Sequence, residues 1–271
     1  MAYQVFVIIN LFCFLAWANA PTLSISARRD SGVDFTQYLN EARKNRFEAF
    51  GFKDNEDPTP DEMAESYNPE KQYRAQKVLS FEDLNELFFY SRDQRFMKDE
   101  NDFLRRPSWL YPDDGCFARA AVTNGRIKKN KNLLLNKIFV FGNLKVVTEN
   151  SPRGKVSWWY HVAPVAEVGD DLYIIDPAIK TESPLSLREW LTSMAEESDL
   201  TNLMIAICDG RSYDPNDSCL KPKESYQRGL AHQKVYFSKE WQRQIDLGRD
   251  PDRTLGENPP WRIGLKLTVA D

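Results

Sequence analysis

After an apolar run over residues 1–20, apolar positions are sparse from 21 to 75 and become regular from Ser80 onward. Ser80-Phe81-Glu82-Asp83 has the form of a capped helix start, with Leu84, Leu87 and Phe88 at helical spacing behind it. A second helix is expected over Gly115–Lys128, with Asp114 as its N-cap and Ala118, Ala121 and Val122 on its inner side. Runs rich in β-branched and aromatic residues then predict strands at Lys137–Leu144, Ser157–Val168 and Leu172–Asp176. Leu185–Met194 reads as a helix, Leu203–Cys208 as a strand, and Val235–Phe237 and Arg262–Val269 as late strands. Helices followed by mainly antiparallel strands place the chain in the α+β class rather than the parallel α/β class.

The first twenty residues hold 17 apolar or aromatic side chains and no charge, and end in Ala18-Asn19-Ala20. Residues 1–20 are therefore expected to be a signal peptide cleaved after Ala20, which makes the mature chain secreted or periplasmic. Residues 21–75, rich in charge and turn formers, are an N-terminal extension, either pro-segment or linker, with one amphipathic helix over Phe35–Phe50. Residues 76–205 form the expected core, and 206–271 a C-terminal extension of the same domain.

Charge excludes one class of partner. Lys and Arg total 36 against 40 Asp and Glu, a formal charge of −4 with no long basic block, so no nucleic-acid partner is expected. No membrane association is expected once the leader is gone, and a monomer is expected. With four Cys and two His, no CxxC or HExxH spacing and no glycine-rich phosphate loop, neither metal nor cofactor is expected. Cys13 leaves with the leader. Cys208 and Cys219 lie 11 apart across a turn-rich loop and are expected to bridge, which leaves Cys116 free.

Cys116 falls in the first turn of the second helix, where unpaired N–H groups and the helix dipole favour a thiolate; the neighbouring Asp113 and Asp114 oppose it. The alternative is a buried cysteine packing as a small hydrophobe. His161 lies in the apolar strand Ser157–Val168, whereas His232 lies in the polar stretch Gln227–Lys234 and is expected at the surface. Gly169-Asp170 is a two-residue hairpin loop that pairs Val168 with Asp171 and so sets Asp176 opposite Ala163, diagonal to His161 on one face. A slip of one residue would send Asp176 to the other face, and Asp176 before Pro177 also suits a turn. Pro164 argues for an edge strand or a bulge. A thiol, an imidazole and a carboxylate in this arrangement form a base-activated nucleophile for attack on a carbonyl. Trp158, Trp159, Tyr160, Tyr111 and Trp109 either wall an apolar slot for a side-chain amide or pack the core, and Asn143 either orients backbone near the site or makes a turn.

Five ordered segments carry a resemblance over about Leu84–Trp190: Leu84-Asn85-Glu86-Leu87-Phe88, Tyr111-Pro112-Asp113-Asp114-Gly115-Cys116-Phe117-Ala118-Arg119-Ala120, Phe139-Val140-Phe141-Gly142-Asn143-Leu144, Trp159-Tyr160-His161-Val162-Ala163 and Ile174-Ile175-Asp176-Pro177. In these the chain resembles the secreted bacterial protein-glutaminases. The resemblance implies a papain- or transglutaminase-like α+β core, its Cys-bearing helix packed on a mainly antiparallel sheet. It implies Cys116 as nucleophile, His161 as general base and acid, and Asp176 as the orienting carboxylate. The implied reaction is hydrolysis of glutamine side-chain amides in proteins or peptides through a thioester, with release of ammonia. A cysteine peptidase or transglutaminase using the same triad, or a non-catalytic secreted binding module, is the alternative.

Overall fold

The computed structural model describes residues 75–262, apart from 79, 218, 220 and 221. The expected signal peptide, the Phe35–Phe50 helix and nearly all of the 21–75 extension lie outside the described residues, as does 263–269 of the expected last strand. Arg262 itself closes a short 3-10 turn, Pro260–Arg262.

The centre is a six-stranded sheet. Its main path is β7 (Leu185–Ser186), β6 (Asp171–Ile174), β5 (Lys155–Val168), β4 (Asn136–Val147) and β8 (Met204–Cys208), antiparallel at every step, while β1 (Gln76–Lys77) runs parallel beside the end of β5. A separate short ribbon pairs β2 (Met97–Lys98) with β3 (Leu104–Arg105). Helix α1 (Phe81–Asp93) starts as expected, with the Ser80 hydroxyl accepting from the Asp83 N–H, and it buries Leu84, Leu87 and Phe88. Helix α2 (Cys116–Lys131) packs on β5, and the long helix α4 (Tyr226–Asp246) packs on α2. With the sheet on one side and α4 on the other, α2 is buried continuously from Cys116 to Asn124. Between β7 and β8 lies the six-residue helix α3 (Leu187–Thr192), and α5 (Pro251–Leu255) follows α4. This is an α+β fold with the Cys-bearing helix on a mainly antiparallel sheet. Among the described residues no helix is long and apolar enough to cross a membrane.

Several local expectations change. The cap of α2 is Gly115 rather than Asp114: Gly115 takes φ +82°, and Asp114 Oδ1 instead accepts the Gly115 N–H at 2.7 Å. A side chain at 115 would be strained by that φ, and its Cβ would stand 2.8 Å from the Tyr236 ring. Val235–Phe237 is no strand but part of α4, where its neighbours recur at helical spacing. His232, expected at the surface, is 1% exposed on the same helix. The expected helix over Leu185–Met194 begins as a two-residue strand and turns helical only at Leu187.

Pro164 sits in the central strand β5, not at an edge. Its carbonyl accepts the Ile175 N–H at 3.0 Å, so its missing donor also points toward β6. One rung of that ladder is therefore half made, and β6 ends at Ile174 just before it. The bulge lies elsewhere: Gly142 and Asn143 of β4 together span Trp159 of β5, with Gly142 at φ +152°. Asn143 is thus in a strand rather than a turn, and it is exposed.

Candidate active site

The imidazole–carboxylate side of the site is built by one hairpin. β5 and β6 pair Val168 with Asp171 and Val165 with Ile174, the register expected from Gly169-Asp170. Continued past the end of β6, that register brings Asp176 diagonally to His161, and Nε2 of His161 lies 2.7 Å from Asp176 Oδ2. The backbone of Asp176 also makes the turn expected before Pro177, its carbonyl accepting the Ile179 and Lys180 N–H groups. Burial works against the charge on Asp176, but His161, the Trp190 indole and Arg119 outweigh it and hold the carboxyl below the usual range. An ionised carboxylate only accepts, so Nε2 carries the proton in this contact. Nδ1 is then the bare nitrogen, and among the described residues this buried atom has no hydrogen-bond partner.

Two tryptophans hold this pair. The Trp158 ring stacks on the imidazole with centroids 4.6 Å apart and planes 10° apart. Its Nε1 donates to the carbonyls of Pro112 and Asp113 at 3.0 and 3.2 Å, which ties the loop before Cys116 to the histidine strand. Trp190 of α3 donates its indole N–H to Asp176 Oδ2 at 2.9 Å.

The thiol side is built from farther away. Cys116 is the first residue of α2, and the first helical bond runs from Arg119 N–H to the Gly115 carbonyl, so the N–H groups of Cys116, Phe117 and Ala118 have no partner within the helix. Cys116 is the free cysteine, and its thiol lies against β5, facing the backbone N–H of Val162, the residue after His161. Burial pushes the thiol up to about 12, against the pull of Arg119 and with the help of Asp114. The resting group is therefore a thiol, and the helix start alone does not make it a thiolate. Arg119, itself buried, gathers the loop by donating to the carbonyls of Ser108, Tyr111 and Asp114.

The sequence reading missed the helix that holds this loop. Gln233 of α4 accepts the Ser108 N–H, Glu240 accepts the Leu110 N–H, Arg243 pairs with Asp113 at 2.5 Å, and Tyr236 packs on Tyr111 and against Gly115. The spacing 233, 236, 240, 243 is one face of a helix. It was hidden because most of these residues are polar. Behind them the Cys208–Cys219 disulfide closes a loop that sets Tyr213 against Phe117 and lets its hydroxyl meet Nδ1 of His232 at 2.6 Å.

The remaining expected site residues are distributed unevenly. Trp158 lies on His161, and Tyr111 lies between Tyr236 and the Arg243 guanidinium. Trp159 and Tyr160 pack on Phe141, and the Trp109 indole bonds the Arg92 carbonyl at the end of α1. All five aromatic side chains are buried. Cys116, His161 and Asp176 are 2, 1 and 4% exposed, so the three groups lie beneath the surface.

Residues 84–194 match a family model described as glutaminase. Among solved structures the chain is similar to pro-protein-glutaminase, at 24% identity and TM-score 0.46 over 61% of this chain and 59% of that one. It is also similar to protein-glutaminase, at 23% identity and TM-score 0.43 over 61% and 90%. The protein-glutaminase of Chryseobacterium proteolyticum aligns at 25% identity and TM-score 0.42 over 56% and 84%. The chain thus spans 59% of the length of the pro-form it matches. No curated protein matches it. The matched segment, 84–194, is the part of the chain that carries Cys116, His161 and Asp176.

Proposed function

We propose that this protein is a secreted thiol amidohydrolase that converts glutamine side chains of proteins or peptides to glutamate and ammonia. One observation carries the reading: His161 gives Nε2 to Asp176 at 2.7 Å and keeps Nδ1 bare, on the strand against which the free thiol of Cys116 packs. In this scheme Nδ1 takes the thiol proton as sulfur attacks the side-chain carbonyl carbon of glutamine. The imidazolium, stabilised by Asp176, returns that proton to the departing nitrogen, and ammonia leaves a thioester. Water, deprotonated by the same nitrogen, cleaves the thioester to glutamate and restores the thiol. Backbone N–H groups at the start of α2 are the donors available to the oxyanion.

Two features support the details. Burial raises the thiol well above its ordinary value, which favours a mechanism with a base, and His161 with Nδ1 bare is the base this reading assigns. The disulfide suits an oxidising compartment, in keeping with a cleaved leader. The test compares the purified secreted chain with its Cys116→Ala variant on a glutamine-rich protein such as casein. Ammonia release by the first and none by the second is expected, without crosslinking or chain cleavage. Equal release by both, or none by either, overturns the proposal, and crosslinks or new chain ends would reassign the triad to transglutaminase or peptidase chemistry.

A further inference from the structure

Helix α3 is six residues long, too short to persist on helix propensity alone. The fold holds it at both ends. Ser186 and Glu189 close a capping box at its start, β7 ties it to Tyr173 and Ile174 of β6, and the Lys145 N–H donates to the Met194 carbonyl just past it. Within the helix one side chain is buried, that of Trp190.

Its indole N–H ends on Asp176 Oδ2, the oxygen that also accepts from His161, and its ring centroid lies 5.7 Å from the imidazole. Filling that space needs only an apolar ring; a donor aimed at the carboxylate is a further property. Asp176 also needs one, because it lies two residues beyond the end of β6, where ladder bonds no longer fix it. The terminal torsion of an aspartate is broad and roughly two-fold, so one partner leaves either oxygen able to turn toward it. Two donors converging on Oδ2 leave one orientation.

We propose that Trp190 is a positioning residue for the reaction: its indole N–H locks the Asp176 carboxylate and thereby keeps neutral His161 protonated on Nε2, with Nδ1 bare for the thiol. The role rests on the proposed reading of the triad. In the amidohydrolase scheme a carboxylate free to turn lets the imidazole proton exchange between its nitrogens, and each turn to the Nδ1–H form removes the base. The indole N–H also favours the ionised carboxylate.

The test uses the full secreted chain with 15N-labelled histidine, comparing wild type with Trp190→Phe, which keeps an aromatic ring and deletes the donor. The chain holds only two histidines, and His232, bonded to Tyr213, is the internal reference. In wild type the nitrogen shifts of neutral His161 are expected to be those of a single Nε2–H tautomer. In Trp190→Phe they converge as the tautomers mix, while those of His232 stay fixed. The variant's kcat for ammonia release falls about tenfold with KM little changed, the loss expected for one hydrogen bond to a charged group. The acid limb of its pH profile moves to higher pH, because Asp176 protonates more readily without the donor. An unchanged His161 tautomer together with an unchanged acid limb overturns the proposal. A measurement on wild type alone covers a variant that fails to fold: the Trp190 indole N–H resonance follows the acid titration of Asp176, and an indole indifferent to it overturns the role. Converging shifts in a protein that releases no ammonia would leave the positioning role standing and sink the amidohydrolase.

Discussion

The two halves of the candidate site are assembled over very different distances along the chain. His161 and Asp176 are 15 residues apart and meet through one hairpin, whose register follows from a two-residue loop. The loop before Cys116 is held by α4, through Gln233 to Ser108, Glu240 to Leu110 and Arg243 to Asp113, contacts separated by 125 to 130 residues. The imidazole–carboxylate pair is thus a local structure that one ladder completes, whereas the thiol is placed only by the packed whole. Changes to the first half should cost chemistry and spare the fold. Changes to the second should cost both together.

Asp176→Asn gives the largest effect and the sharpest separation. The side chain keeps its size and loses its charge, and ammonia release is expected to fall on the order of 10⁴-fold, about 5 kcal/mol of barrier, as for a comparable triad carboxylate. Thermal stability at neutral pH should fall only by the contribution of the one ionised carboxylate; a collapse of the whole fold would show that this half is not local. Because the wild-type carboxyl is depressed, its contribution is present at neutral pH and is lost as pH falls through its folded value. The asparagine variant should therefore lack that acid-side loss.

Replacing both Cys208 and Cys219 with Ser attacks the second half from behind. The bridge spans 11 residues, and loop-closure entropy assigns it about 3 kcal/mol. Denaturant unfolding should show that loss, and activity should fall as Tyr213 loosens from Phe117, the neighbour of the thiol. Full activity in a destabilised double variant would detach the loop from the nucleophile. Gly115→Ala is the smallest of the three. A left-handed alanine costs about 1–2 kcal/mol, and here its Cβ also meets the Tyr236 ring. Alkylation of Cys116 should slow in this variant while the His161–Asp176 contact, followed by imidazole NMR, stays unchanged. Disturbance of both halves by this one methyl would break the distinction between them.

The same difference decided what could be read from the sequence. Apolar alternation and a Gly-Asp loop were enough for β5, β6 and the meeting of His161 with Asp176, since register propagates along a ladder by simple counting. Helix α1 was equally plain, with its cap and its apolar stripe both present. Helix α4 was not, because apolar periodicity is blind to a buried face made of Gln233, Glu240 and Gln244. Gln233 and Glu240 are buried there because their partners are the free N–H groups of a loop, which a polar side chain satisfies and a leucine would not. Pro164 misled in another way. A proline is barred from a central strand only where a ladder bond is needed, and β6 has already ended there.

The position of α4 in the chain also sets an order of events. Synthesis runs from the N-terminus, so Cys116, His161, Asp176 and Trp190 all emerge before Gln233, Tyr236, Glu240 and Arg243. A nascent chain that already holds every group of the proposed triad still lacks the clamp for the loop before Cys116. Competence is conferred late, by residues that do none of the chemistry.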